Sequence, residues 1–127
     1  MKVNYSSSAT LEQLLNAQDG VWQQAVVANV ALQGTPAAMQ PTAAIRNTWE
    51  KKKIGAVSKA ELRALHNGDV LAFHLSWADP NHNTNHGDNS VWPDAAAIAL
   101  PLHQDAPLMT MGAQGLPLAI WYWRAAD

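Results

Sequence analysis

The stretch Val57-Ser-Lys-Ala-Glu-Leu-Arg-Ala-Leu65, His66-Asn-Gly-Asp69, Val70-Leu-Ala-Phe-His-Leu-Ser-Trp77 decides the fold class. Two runs of alternating character flank an Asn67-Gly68 pair, and Asn-Gly supplies the two positive-φ residues that a tight hairpin turn requires. In the second arm Leu71, Phe73, Leu75 and Trp77 point one way, while Val70, Ala72, His74 and Ser76 point the other. That period of two predicts a β-hairpin with one apolar face.

Upstream, residues 1–24 are polar and rich in Gln, Asn and Ser, with Leu11, Leu14 and Leu15 at helical spacing behind Thr10, a candidate N-cap. Trp22 opens the part expected to be structured. Over Ala25–Gln33, Val26, Ala28, Val30 and Leu32 alternate with Val27, Asn29, Ala31 and Gln33, which predicts a strand broken by Gly34, Pro36 and Pro41. Ile45–Lys53 reads as either a short strand or an extended loop. Downstream, Asp79–Pro93 is a polar loop. Asp94–His103 lies between Pro93 and Pro101 and predicts a buried strand rather than a helix. Pro107–Leu116 is a loop, and Pro117–Arg124 a final aromatic-rich strand. Short strands separated by turns give an all-β, immunoglobulin-like β-sandwich, whole or truncated, with a short helical or irregular start over residues 1–21 and a single domain over residues 22–127.

Composition limits the function. A chain of 127 residues, 48% hydrophobic and only 14% charged, with six Trp, must leave much neutral or apolar surface for a partner or cofactor to cover. The net charge of −2 provides no cationic field for nucleic acid; Lys51, Lys52 and Lys53 are the only basic cluster and read as a solvated loop. With no cysteine there are no disulfides, thiolate metal sites, iron–sulfur clusters or covalently attached c-type haem. Apolar runs such as Ala95–Leu102 are too short to span a bilayer, and the start carries no export signal core. Cytoplasmic residence, or export attached to another chain, follows as the expectation.

Ser58, Ser76 and Ser90 sit in no Gly-x-Ser-x-Gly elbow, and the carboxylates show no diagnostic pairing, so catalysis on a substrate is not expected. In the loop after Trp77, Asp79, Asn81 and Asn83 alternate like the start of a calcium loop, but Thr84 stands where Gly is required and the closing Glu is missing. His82 and His86 would need a helical loop to share a metal, which Pro80 disfavours. The loop reads as solvated.

Three segments occur in order: Leu71-Ala-Phe-His-Leu-Ser-Trp-Ala-Asp79, Trp92-Pro-Asp-Ala-Ala-Ala-Ile-Ala-Leu-Pro101, and Met111-Gly-Ala-Gln-Gly-Leu-Pro-Leu-Ala-Ile-Trp-Tyr-Trp-Arg124. Together with Leu62–Gly68 they resemble, over about residues 20–125, the haem b-binding γ subunit of molybdenum oxidoreductases of the dimethyl sulfoxide reductase type. That subunit accompanies ethylbenzene dehydrogenase, dimethyl sulfide dehydrogenase, selenate and chlorate reductases and some nitrite oxidoreductases.

The resemblance implies a non-catalytic electron carrier with haem b in a sandwich pocket, serving a molybdenum-containing catalytic subunit and an iron–sulfur subunit, with a cytochrome c as candidate acceptor and a periplasmic setting. Its Met-Gly motif falls on Met111-Gly112, so Met111 inherits an axial role. A thioether is a soft, neutral ligand that favours reduced iron, and a neighbouring Gly lets backbone approach a porphyrin. Met109, two residues away, shares that face if the segment is extended. The family's second ligand, a Lys beyond the Trp-x-Trp strand, has no counterpart before Asp127. The sixth position is then empty, filled by a partner, or filled locally by His74, with His66 and His103 as further candidates. Trp77, Trp121, Trp123 and Trp92 could wall a porphyrin, and Arg124 could pair with a propionate.

Each of these residues also has a plainer reading: Met111 as core filler, the Trp residues as sandwich core, and the His residues as hydrogen-bonded structure. Two rival functions remain open. One is a haem-free structural subunit; the other is a carbohydrate-binding module using Trp22, Trp49 or Trp92 as stacking platforms.

Overall fold

The computed structural model describes residues 1–52, 55–87 and 91–126; Lys53 of the basic cluster, Ser90 and the loop residues Asp88 and Asn89 therefore lie outside the described residues. Strands arranged in two sheets dominate, with short helices between them, so the all-β reading holds. The chain divides into two compact units, Met1–Pro80 and Asn81–Asp127.

In the first unit the predicted hairpin is present as β3 (Lys59–His66) and β4 (Leu71–Trp77), paired antiparallel from Ala60↔Trp77 to His66↔Leu71. This register puts Ala60, Leu62 and Ala64 beside Trp77, Leu75 and Phe73 on one face, as the alternation requires. Ala60 and Ala64 are buried there.

The turn works differently from the expectation. Gly68 alone in it has positive φ, at 110°, while Asn67 acts through its side chain. Asn67 Oδ1 accepts hydrogen bonds from the amides of Asp69 (3.1 Å) and Val70 (2.9 Å), and Asn67 Nδ2 donates to the Ala9 carbonyl at 2.9 Å. An Asx-type turn of four residues thus replaces the two-residue type I′ link. Because three hydrogen bonds disappear with that carboxamide, Asn67→Ala is expected to cost about 1–3 kcal/mol. Chemical denaturation of the variant against the parent chain measures it.

The other edge of β3 is shared by two strands. β2 (Ala28–Ala31) pairs antiparallel from Ala28↔Leu62 to Ala31↔Lys59, and β1 (Asn4–Tyr5) pairs parallel at Asn4↔Leu65 and Tyr5↔His66. The strand expected over Ala25–Gln33 is therefore present but shorter. The polar start of the chain does more than its composition suggests. Its helix α1 (Leu11–Leu15) begins at Thr10 in a reciprocal capping box: Gln13 N donates to Thr10 Oγ1, and Thr10 N donates to Gln13 Oε1. After α1 a 3-10 helix, Gly20–Gln24, brings Val21 and Trp22 inward. Ala9, Leu14, Val21, Trp22, Ala25 and Leu65 form the core, with Val70 and Ala72 packed against it.

Over its described part, residues 45–52, the segment expected as a short strand or extended loop is neither. Helix α2 (Ala43–Trp49) starts at Thr42, whose hydroxyl accepts from Ile45 N at 3.2 Å, and Lys52 Nζ lies 4.7 Å from the Trp49 ring centroid. The cap supplies the start, and Ala43-Ala44 costs no side-chain entropy in a helix.

In the second unit, β5 (Ala95–Pro101) pairs antiparallel with β6 (Leu118–Arg124) from Ala95↔Arg124 to Pro101↔Leu118. The strand between the prolines is thus confirmed, but its burial is not. Ala96, Ile98 and Leu100 are half-buried, whereas Ala95, Ala97, Ala99 and Pro101 are exposed, because this sheet has two strands. The polar loop before it is tied at its base: Asn83 N donates to Asp94 Oδ2 and Asp94 N to the Asn83 carbonyl.

Candidate functional site

The connection between β5 and β6 carries the Met-Gly pair. Leu108 to Met111 fold into a turn in which Met111 N donates to the Leu108 carbonyl (3.1 Å) and Gly112 N to the Pro107 carbonyl (2.9 Å). Thr110 Oγ1 donates to the Gly112 carbonyl at 3.0 Å, and Ala113 and Leu116 bond each other through both backbone groups. Such a reversal needs consecutive left-handed residues. Gly112, at φ 96°, adopts that geometry without strain, but Met111 stands at φ 53° and is the only non-glycine residue with positive φ among the described residues. A side chain in that region costs about 1–2 kcal/mol, and strain of this kind collects at functional positions.

The Met111 side chain is not core filler. It is 74% exposed, beside an equally open Met109. Because the segment is a turn and not extended, Met109 and Met111 do not share a strand face, and the premise that made them equivalent is removed. Gly112 has a steric role as well: a Cβ there would sit 3.0 Å from the Leu116 carbonyl oxygen. Gly112→Ala is expected to cost about 1–2 kcal/mol in the turn, detected as faster hydrogen exchange at the Ala113 and Leu116 amides.

On β6, residues two apart share a face, so Trp121 and Trp123 lie together opposite Ile98 and Ala96. Arg124 falls on the other face with Tyr122 and Ile120. Trp121 and Trp123 are each about half exposed, so neither is an ordinary core residue of its own unit. The register thus gathers the two indoles but separates them from the arginine.

The remaining candidates belong to the first unit. Trp77 ends β4 and lines an open cleft of about 320 Å³ with Lys59, Ala60, Glu61, Ser76 and Ala78. His74 projects from the opposite face of β4, so these two residues do not share a surface of the sheet. The imidazole of His74 packs on the Trp22 indole at 5.2 Å between centroids, and its Nδ1 is buried with no hydrogen-bond partner. A buried nitrogen left without a partner is costly unless something else engages it. Sequence reasoning missed this pair, since nothing local in the chain announces that residues 22 and 74 meet. His66 stacks near Tyr5 at 4.9 Å, and His103 Nδ1 accepts from Asp105 N at 3.2 Å; both have structural partners.

Trp22 is buried and donates from Nε1 to the Asn16 carbonyl, which rules it out as an open sugar platform. Trp92 remains exposed with its ring edge-on to His86. Among the described residues no three His, Cys, Asp or Glu side chains converge on a point, and no helix is long and apolar enough to cross a membrane.

The donor set of the second unit therefore contains a neutral thioether on a strained turn and a pair of half-exposed indoles, while the unpartnered imidazole nitrogen belongs to the first unit. That donor set suits a large apolar group containing a soft or borderline metal better than a hard cation, which would need several oxygens. Comparison with known proteins agrees in kind. A protein from Haloferax mediterranei named as a respiratory nitrate reductase heme subunit is 28% identical over 96 residues, covering 75% of this chain and 35% of that relative. The chain thus matches about a third of the relative's length. A family model described as ethylbenzene dehydrogenase matches residues 19–127, from the end of the first polar segment through the Met-Gly turn and the last aromatic strand, and the chain belongs to that family.

Proposed function

We propose that this chain is a haem-carrying, non-catalytic subunit of a respiratory molybdenum oxidoreductase, with haem b held non-covalently and Met111 as an axial ligand. The observation that carries the reading is the conformation of Met111: a solvent-facing thioether held in left-handed backbone that its own stability disfavours. The Haloferax relative's name and the family membership support it. When bound, the haem supplies a one-electron couple between the complex's iron–sulfur subunit and an external carrier such as a cytochrome c, while substrate chemistry belongs to the molybdenum-containing subunit.

The chain's own residues then have separate tasks. The Met111 sulfur would hold the iron through a neutral, soft donor, a ligand type that favours the reduced state. Gly112 completes the turn that presents the sulfur. Trp121 and Trp123 would provide apolar, polarisable surface that excludes water from a porphyrin; Arg124, on the opposite face of β6, does not share that surface.

Titration of the purified chain with hemin tests this reading. Stoichiometric binding with a sharp Soret band and a reduced spectrum of the thioether-ligated type is the expected result. Absence of any specific spectrum, both alone and in the assembled complex, would leave a haem-free structural subunit as the better description.

A further inference from the structure

We propose that Met111 is also an oxidation site that controls haem loading, an inference that rests on its assignment as the axial ligand. The thioether is 74% exposed in the chain without haem, so an oxidant in solution reaches it directly. Methionine oxidation follows exposure. With a peroxide the balance is simple: the sulfur attacks one peroxide oxygen, the O–O bond breaks, the sulfur is oxidised by two electrons to a sulfoxide, and the other oxygen leaves as water.

The product is a poorer fit in two respects. The sulfur has given a lone pair to oxygen and become more polar and bulkier, so it no longer offers the soft donor that iron in a haem selects. The turn cannot adapt by rotating its backbone, since Met111 and Gly112 are fixed by the bonds to Leu108, Pro107 and Thr110. Peroxide arriving before haem thus closes the site, whereas haem bound first covers the sulfur. Met39, 59% exposed on a separate short helical turn, serves as an internal reference for oxidant access.

The experiment uses the full chain carrying Met39→Leu and Met109→Leu, which leaves Met111 as the internal thioether. Untreated protein should bind hemin with the spectrum of the parent chain. Protein treated with hydrogen peroxide, freed of oxidant and then mixed with hemin should show one added oxygen on the peptide containing Met111 and no such spectrum. Methionine sulfoxide reductases with dithiothreitol should restore it, the oxygen leaving as water while two thiols become a disulfide. Hemin binding that persists unchanged on protein oxidised at Met111 overturns the inference. So does a Met111 that resists peroxide in the parent chain under conditions that oxidise Met39. Failure of the untreated protein to bind hemin is a different outcome: it removes the ligand assignment itself, and the inference with it.

Discussion

Replacing Trp22 by Ala is expected to destabilise the first unit by about 3–5 kcal/mol, the largest effect of any single substitution considered. The indole is 5% exposed and sits with Leu14, Val21, Ala25 and the fully buried Leu65. It also holds the Asn16 carbonyl and supports the His74 ring. Truncation to Ala removes that apolar area and leaves a void that backbone on both sides, α1 and β3, cannot easily close. Since whole domains are stable by only about 5–15 kcal/mol, a substantial share of the chain should unfold at moderate temperature. Urea denaturation followed by circular dichroism measures the loss. Trp121→Ala is the comparison: its indole is 46% exposed, so it should cost much less. Equal costs for the two substitutions would contradict the location of the core.

The second large effect concerns Met111→Leu. Leu and Met are close in volume, and both suffer equally in left-handed backbone, so the turn should keep its stability to within about 0.5 kcal/mol. What disappears is the sulfur. Hemin should then bind weakly or with a changed Soret band, and any haem retained should have a lower reduction potential, read by spectroelectrochemical titration. Met109→Leu should change none of these. Identical spectra and potentials for Met111→Leu and the parent chain would assign the ligand elsewhere, whatever the fate of the haem itself.

These two residues illustrate how different kinds of information lie in the chain. The β3–β4 hairpin is legible because alternation is local: each residue from Leu71 to Trp77 declares its face by its neighbours two positions away, and Asn67-Gly68 marks the reversal. Thr10 is legible for the same reason, since its capping partner Gln13 is three residues on. The Met-Gly turn is legible through the resemblance carried by the ordered segments around it, although its backbone strain is not.

Helix α2 escaped because its start depends on one hydroxyl, Thr42, in a stretch where Trp49 among polar residues suits several conformations. The exposure of β5 also escaped. Its Ala, Ile and Leu content is that of a covered strand, while its actual burial depends on how many strands join the sheet, a property of partners distant in sequence.

By itself, then, the sequence determined the class of fold, the β3–β4 hairpin and the absence of thiolate chemistry, which follow from residue type and short-range periodicity, while the position of the candidate ligand came from the resemblance to a family. Tertiary structure alone decided that the polar first segment supplies the core through Leu14, Val21 and Trp22, that His74 meets Trp22 and not Trp77, and that Met111 is strained and open. Those facts arise from contacts between residues tens of positions apart and from the closure of a turn, where the energy of the whole unit, and no local preference, selects the geometry.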